Sequence, residues 1–529
     1  MHSLRTISSR VQSTLRRSTY IDPDAVRIDT RALAAFRIVA GLLIIADVLL
    51  RSRNFTLFYT ESGVVPQSLA TEMTADNAVS IYYFTTDSTV IAALFILTVL
   101  IAIQLIVGYK TRVATVLSFL LVVSLDHHNP LVLSFADTLF RMLLFWAIFL
   151  PLGERWSIDA CHADSLPRSG ITSLASAAIL AQVVYMYVLN GYHKRESELW
   201  TGGEATPLIM GLDNTTFLLG DFMRNFPALL QYGGVTWYYM LLFAWLLILL
   251  QGNARTLFVA MFIAGHASFA ITVRIGAFPY VAIAGLLLFL QTPVWDRLET
   301  LVRSGTLEQS RRAYIRIELK RLASRFPRAQ IDSKTLRHAK TTIYTLVLVV
   351  AIISLLVVPT LSHLPVAQSI DEEDGPKDRI DERADAIRVS QPDWTVFAPH
   401  PRTVDRYYVF PAETENGDTV DAYNERPLTH ERPYDELQKQ FGTYRERFYM
   451  SSVRRGGPDD IVAETLADHL CEIWSEEHGE ELTAVNMYYV VEDVTLETID
   501  ESAVRDREIQ PIYHHGCGDT EPRAIDPPE

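Results

Sequence analysis

Nine stretches of this 529-residue chain are almost purely apolar: residues 32–50, 89–107, 113–125, 131–150, 171–189, 235–250, 257–273, 277–290 and 342–361. Most approach the roughly 20 residues that a helix needs to span a bilayer. The pattern predicts an all-α polytopic membrane bundle of about nine transmembrane helices. The runs 113–125 and 277–290 are the short ones. After residue 361 the pattern changes. Residues 406–410 alternate and residues 483–494 read as a strand, with a hairpin turn at Asn416-Gly417-Asp418. Segments 433–450 and 458–474 read as helices, the second with Ile461, Leu466, Leu470 and Trp474 on one side. The bundle is therefore expected to be followed by a small soluble α+β domain.

Charge sharpens this division. The whole chain carries a net charge of −15 although 49% of it is hydrophobic. Residues 362–529 hold 39 acidic and 16 basic side chains, a net of −23, which leaves +8 on the residues before them. This composition excludes a wholly soluble protein, a collagen or coiled-coil fibre and a disordered chain. Lys and Arg in short loops mark the cytoplasmic side. Arg5, Arg10, Arg16, Arg17 and Arg27 place residues 1–28 there as a cytoplasmic segment. An eight-helix membrane domain then covers 29–295, a basic cytoplasmic loop 296–340, and the ninth helix 341–361. Residues 362–529 become an acidic extracytoplasmic domain of a multi-pass cell-membrane protein. Arg51 and Arg53 go against the rule, falling on the outer side. In the basic loop, Ile315, Leu319, Leu322 and Phe326 share one helix face among cations, which suits either an anionic lipid surface or a plain connector. Membrane lipids are the expected partners. Nucleic acid is not, since no aromatic interleaving or binding module accompanies the cations.

Three cysteines exclude a disulfide framework. Cys471 and Cys517 are expected to bridge in the outer domain, with Cys161 free. No metal site is read. His514-His515-Gly516-Cys517 lacks partners at ligand spacing, and haem would want facing histidines in two spans, whereas only His266 is deep in one. A transporter is disfavoured by the absence of an inverted repeat.

Ionisable groups inside spans are costly and point to function. The first run holds Arg37 and Asp47, the fourth Asp137 and Arg141, and the seventh His266 with Arg274 at its end. Asp126-His127-His128-Asn129 follows the third run, and His193 and Lys194 lie just past the fifth. All but Arg37 fall at one depth near the outer face, as the walls of an outward-facing polar pocket would. Each has a structural alternative: an ion pair for Asp137 and Arg141, an interhelical hydrogen bond for His266, a solvated loop position for Lys194.

Leu33-Ala-Ala-Phe-Arg37-Ile-Val-Ala-Gly41, Phe58-Tyr-Thr-Glu-Ser-Gly63-Val-Val-Pro66 and Phe149-Leu-Pro-Leu-Gly153 resemble the HTTM family of membrane proteins, as does Trp156-Ser-Ile-Asp159. The best-known class of that family is the vitamin K-dependent gamma-glutamyl carboxylases. His266, followed by Ile275-Gly276-Ala-Phe278-Pro-Tyr280, is the match most specific to the carboxylase, and Trp394-Thr-Val-Phe-Ala-Pro399 resembles a segment after the bundle in prokaryotic relatives. The likeness covers about half of the chain. It implies a quinol-linked, carboxylase-like enzyme with an outward-facing site. A reduced quinone of the vitamin K type, oxygen and carbon dioxide would react there, and an exported glutamate-bearing peptide would be the substrate. Lys194 stands where the family's base lysine would, one residue further from Trp200; His266 is a further catalytic candidate, and His128 matches an outer-loop histidine, with His127 competing. Asp47, Asp137, Arg141, His193 and Arg274 remain pocket candidates. The acidic domain does not resemble the carboxylase's propeptide-recognising domain. A lipid- or quinone-binding protein without enzymatic activity is the alternative.

Overall fold

The computed structural model describes residues 23–304, 321, 323–327, 334–363 and 376–525. In chain order the membrane part contains α1 (Thr30–Ser52), α2 (Ser88–Val107), α3 (Thr111–His128), α4 (Phe135–Ala147), α5 (Leu174–Lys194), α6 (Pro227–Leu242), α7 (Gly252–Thr272), α8 (Phe278–Leu287) and α9 (Thr292–Ser304). Side-chain caps start several of them. Asp29 accepts from the Arg31 amide at the start of α1, and Asp87 accepts from Thr89 and Val90 at the start of α2. Gly108, in the left-handed region at φ 69°, ends α2.

Among the described residues, α1, α2, α5, α7 and the segment Thr341–Ser362 are long and apolar enough to cross a membrane. A sixth span arises if α8 and Thr292–Leu301, bent by 100° at their break, count as one. By helix length and composition five or six spans are supported, and the nine read from the apolar runs are not confirmed. Run 113–125 falls in α3, whose 18 residues include Asp126 and two histidines. Run 131–150 becomes a 3-10 turn at Pro130–Val132 and the 13-residue α4, almost all of which is buried. Run 235–250 divides between α6 and the single turn Leu246–Leu249. Apolar pattern alone does not separate a lipid-facing helix from one enclosed by its neighbours.

The loops collect at two ends. At one end Arg37 donates to the carbonyls of Ile106, Leu152, Arg155 and Trp156, and Arg255 donates to Ala25. A two-stranded pairing of Ile28–Asp29 with Gly170–Ile171 lies at the same end, with Arg31 bridging Asp29 and Asp296. Phe326, from the basic loop, packs there on Tyr109 with ring centroids 5.0 Å apart. Ile315, Leu319 and Leu322, like residues 1–22, lie outside the described residues.

At the other end sits the C-terminal sheet, with strands β1 (Val404–Val409), β2 (Pro411–Thr414), β3 (Thr419–Asp421), β4 (Arg426–Pro427), β5 (Leu482–Asp493) and β6 (Arg507–Gly516). All pairings are antiparallel, in the order β1-β5-β2-β3-β4 with β6 on β5. The β2–β3 hairpin turns through Gly417 at φ 86°, as Asn-Gly-Asp predicts. Helices α10 (Tyr444–Arg455) and α11 (Ile461–His478) complete the domain. The helix expected over 433–450 begins only at Tyr444, and β6 was not anticipated. Cys471 on α11 and Cys517 after β6 form a disulfide with a Cα–Cα distance of 5.8 Å, and Cys161 is free.

Candidate functional site

On α5, Tyr187, Asn190 and Lys194 are spaced i, i+3, i+7 and form one polar stripe on an apolar helix. The stripe faces a cavity of about 680 Å³ between α5, α6 and α7. Gly191 lets the α5 backbone lie against α6: a Cβ there would meet the Leu242 amide at 2.8 Å. Gly265 does the same for Trp237, whose ring would stand 2.5 Å from an added Cβ. Apolar side chains make most of the wall, among them Met186, Trp237, Met240, Phe269 and Phe278. At its rim, Leu229 (58% exposed) and Tyr232 (76%) stand on the outer surface of α6. The cavity therefore opens sideways onto the surface that lipid would cover.

Lys194 is 2% exposed, in the last turn of α5. It is not the solvated loop lysine considered as an alternative. Its Nζ donates to the carbonyls of Val396 at 2.6 Å and Phe397 at 3.0 Å, and lies 4.1 Å from the centre of the Trp200 ring. Asn190 Nδ2 donates to the carbonyls of Trp394 and Val396, and Trp200 Nε1 to Phe397. Residues 394–397, which come from beyond the membrane part, thus close the cavity with backbone carbonyls. Trp394 and Phe397 sit at φ 50°, a conformation that non-glycine residues hold only under structural constraint. No ion pair to Lys194 exists among the described residues. Deeper in, His266 Nε2 and the Tyr187 hydroxyl are 2.7 Å apart, while His266 Nδ1 is buried without a partner.

The structure brings Lys194 and His266 to this one cavity. The other candidates lie elsewhere, so the single polar pocket expected from common depth is two cavities. Asp47, Asp137 and Arg274 line a second one of about 340 Å³, together with Asp126 and Tyr444. Arg274 donates to the carbonyls of Gln438, Phe441 and Gly442. Asp137 and Arg141 do not pair. Arg141 takes Asp126, while Asp137 receives Arg445 from α10 at 2.9 Å. Arg51, one of the two residues that go against the charge rule, is buried between Asp47 at 2.8 Å and Asp126 at 2.5 Å. Arg445 also meets Asp47. His128 stacks on Tyr82 with ring centroids 4.7 Å apart and its Nε2 lies 3.3 Å from the Tyr59 carbonyl, outside both cavities. His193 is half-buried on the far side of α5 and faces His363, ring to ring, at 6.3 Å. His514 bonds Tyr488 at 2.9 Å and Cys517 is consumed by the disulfide.

Sequence reasoning missed Tyr187, Asn190, Arg51 and Arg445. The i, i+3, i+7 spacing on α5 carried the signal for the first two. Nothing local in the sequence announces the pairing of Arg445 with residues some 300 to 400 positions earlier.

Apolar helices around a buried, sideways-opening cavity, capped at one end by a sheet domain, define a helical membrane protein. The chain belongs to the HTTM family: the model of the HTTM domain matches residues 26–295. Neither a curated protein nor a solved structure matches it.

Proposed function

We propose that the protein holds a lipid-soluble quinol in the Lys194–His266 cavity and supports carboxylase-like, quinol-linked chemistry there, with Lys194 as proton acceptor. The observation that carries this reading is a buried lysine, unpaired by any carboxylate among the described residues, on the wall of an otherwise apolar cavity. The residues fit such a ligand. A cavity of about 680 Å³ is in the range of small-molecule sites, and its side opening gives a route from the bilayer. The partnerless Nδ1 of His266 offers one polar contact for a ring oxygen. A bound quinol supplies a phenolic proton and two reducing equivalents, for reaction with oxygen and carbon dioxide. A neutral Lys194 amine has two N–H bonds, which the Val396 and Phe397 carbonyls accept, and its lone pair is then free for that proton. Tyr187 orients His266, and Trp200 with the 394–397 segment excludes water.

In this reading the short helices also cross, giving nine passes. Turns after α2 and α4 share an end with Arg31 and Arg255, while those after α1, α3 and α7 meet the sheet domain. The basic end is cytoplasmic and the acidic domain faces outward, toward an exported peptide. A cysteine introduced at Ser304 is expected to resist membrane-impermeant maleimide in intact cells and to react after lysis. Labelling from outside would overturn this orientation.

A second reading rests on the same lysine. As an ammonium, Lys194 has a third N–H directed to the Trp200 ring, a satisfied cation–π arrangement, and the cavity then only binds a quinone or lipid. Detergent-purified protein is expected to retain quinone, and to take up oxygen when reduced quinone and carbon dioxide are supplied. Bound quinone without uptake selects the binding reading. Absence of both rejects the cavity as a quinone site.

A further inference from the structure

Away from that cavity, a small one of about 110 Å³ lies where β1, α10 and a loop of the membrane part meet. Four arginines line it. Arg402 stands two residues before β1, and Arg406 and Tyr408 alternate onto one side of it. Arg447 and Arg454 are seven apart on α10 and share its inner face. Asn214 reaches in from the membrane part, and Phe441 and Phe448 add apolar wall.

Among the described residues, no carboxylate lines this space. Among the described residues none of the four arginines makes an ion pair, in a segment whose net charge is −23. The neighbouring acid, Asp405, points the other way and is taken by Arg505 at 2.8 Å and by the amides of Asp213 and Asn214. Other buried arginines nearby are neutralised: Arg432 by Asp213 and Glu492, Arg445 by Asp47 and Asp137. In the cavity, Arg402 Nη2, Arg406 Nε and Arg447 Nε are buried with no hydrogen-bond partner. Burial and the neighbouring guanidiniums pull Arg402 down to about 10 and Arg447 down to about 9. Gathering unpaired cations costs free energy through desolvation and mutual repulsion. A structure keeps such an arrangement most readily where an anion completes it.

We propose that this cluster is a binding site for one phosphate-type oxyanion. Planar guanidiniums match the oxygens of such an ion two at a time. A tetrahedral dianion brings four acceptors and two negative charges to four cations, where a single carboxylate brings two acceptors and one charge. The volume admits the ion or a phosphoryl head group and excludes a nucleotide. The phosphoryl group comes either from free phosphate or from a phospholipid, and the site is independent of the Lys194 cavity.

Calorimetric titration of full-length protein in detergent with inorganic phosphate, at constant ionic strength set with sodium chloride, tests this. Saturable binding with one ion per chain is expected, with a phosphate-dependent rise in melting temperature. Arg447→Gln should weaken it roughly tenfold or more, the size of one lost charge-assisted hydrogen bond. Arg454→Gln is the second variant, with its unfolding also measured without phosphate, because Arg454 lies against the Tyr489 ring, 5.5 Å from its centre, and loses that contact too. Stronger retention on phosphatidic acid nanodiscs than on phosphatidylcholine, lost in the same variants, would assign the group to a lipid. Phosphate binding without that preference would assign it to the free ion. No phosphate binding and no preference for phosphatidic acid, or binding unchanged in both variants, overturns the site.

Discussion

Replacing Lys194 with arginine is expected to lower quinol-dependent oxygen uptake by roughly 10²–10⁴-fold, the usual contribution of a positioned acid or base. A guanidinium keeps a positive charge and donors for the carbonyls of Val396 and Phe397, yet cannot give up its proton to act as a base. Arginine thereby separates proton transfer from charge. Lys194→Ala should be equally inactive and also less stable. The carbonyls of Val396 and Phe397 each lose one of two donors, Asn190 and Trp200 remaining, so the cost is that of ordinary hydrogen bonds, about 0.5–1.5 kcal/mol each. Oxygen-electrode rates, with thermal unfolding followed on the same samples, check both expectations. Full uptake in the arginine variant would exclude Lys194 as the base. If the protein only binds its ligand, the Arg variant is expected to keep its bound quinone.

Arg445→Ala is expected to cost roughly 3–5 kcal/mol of stability, the range for breaking a buried ion pair by removing one partner. Arg445 is 3% exposed and meets Asp47 of α1 and Asp137 of α4 at once. Its loss leaves the buried Asp126 and Asp137 and the partly exposed Asp47 facing only Arg51 and Arg141. The double variant Arg445→Ala, Asp137→Asn should recover part of the loss, because the uncompensated charge is then removed. Chemical denaturation in detergent measures the energies. Limited proteolysis reports whether the sheet domain loosens from the bundle first. A cost below about 1 kcal/mol, typical of exposed pairs, would show that the cluster is open to water.

Long runs such as 32–50, 89–107 and 257–273 were legible because they exceed what a soluble core contains, and the first two also carry side-chain caps. Run 131–150 was not resolved: α4 is only 13 residues and is enclosed by other helices, so its apolar character reflects burial in protein. Lys194 and His266 were found as ionisable groups near apolar runs, and they do share a cavity. Asp47, Asp137 and Arg141 were found by the same rule and belong to an ion cluster instead. Depth along a helix places a residue vertically, whereas the direction of its side chain around the helix decides which neighbour it meets. Arg51 shows the converse. Read as an outer-loop cation, it is a buried partner of Asp47 four residues earlier.

The closing segment 394–397 has a consequence for comparing relatives. The family's domain ends at residue 295, but the carbonyls that hold Lys194 lie about a hundred residues later. A protein sharing only the matched domain would inherit the lysine without its lid. Its amine would meet different acceptors, or water, and would behave differently. The matched helices and the segment that closes the cavity can therefore be inherited separately, and each must be traced on its own.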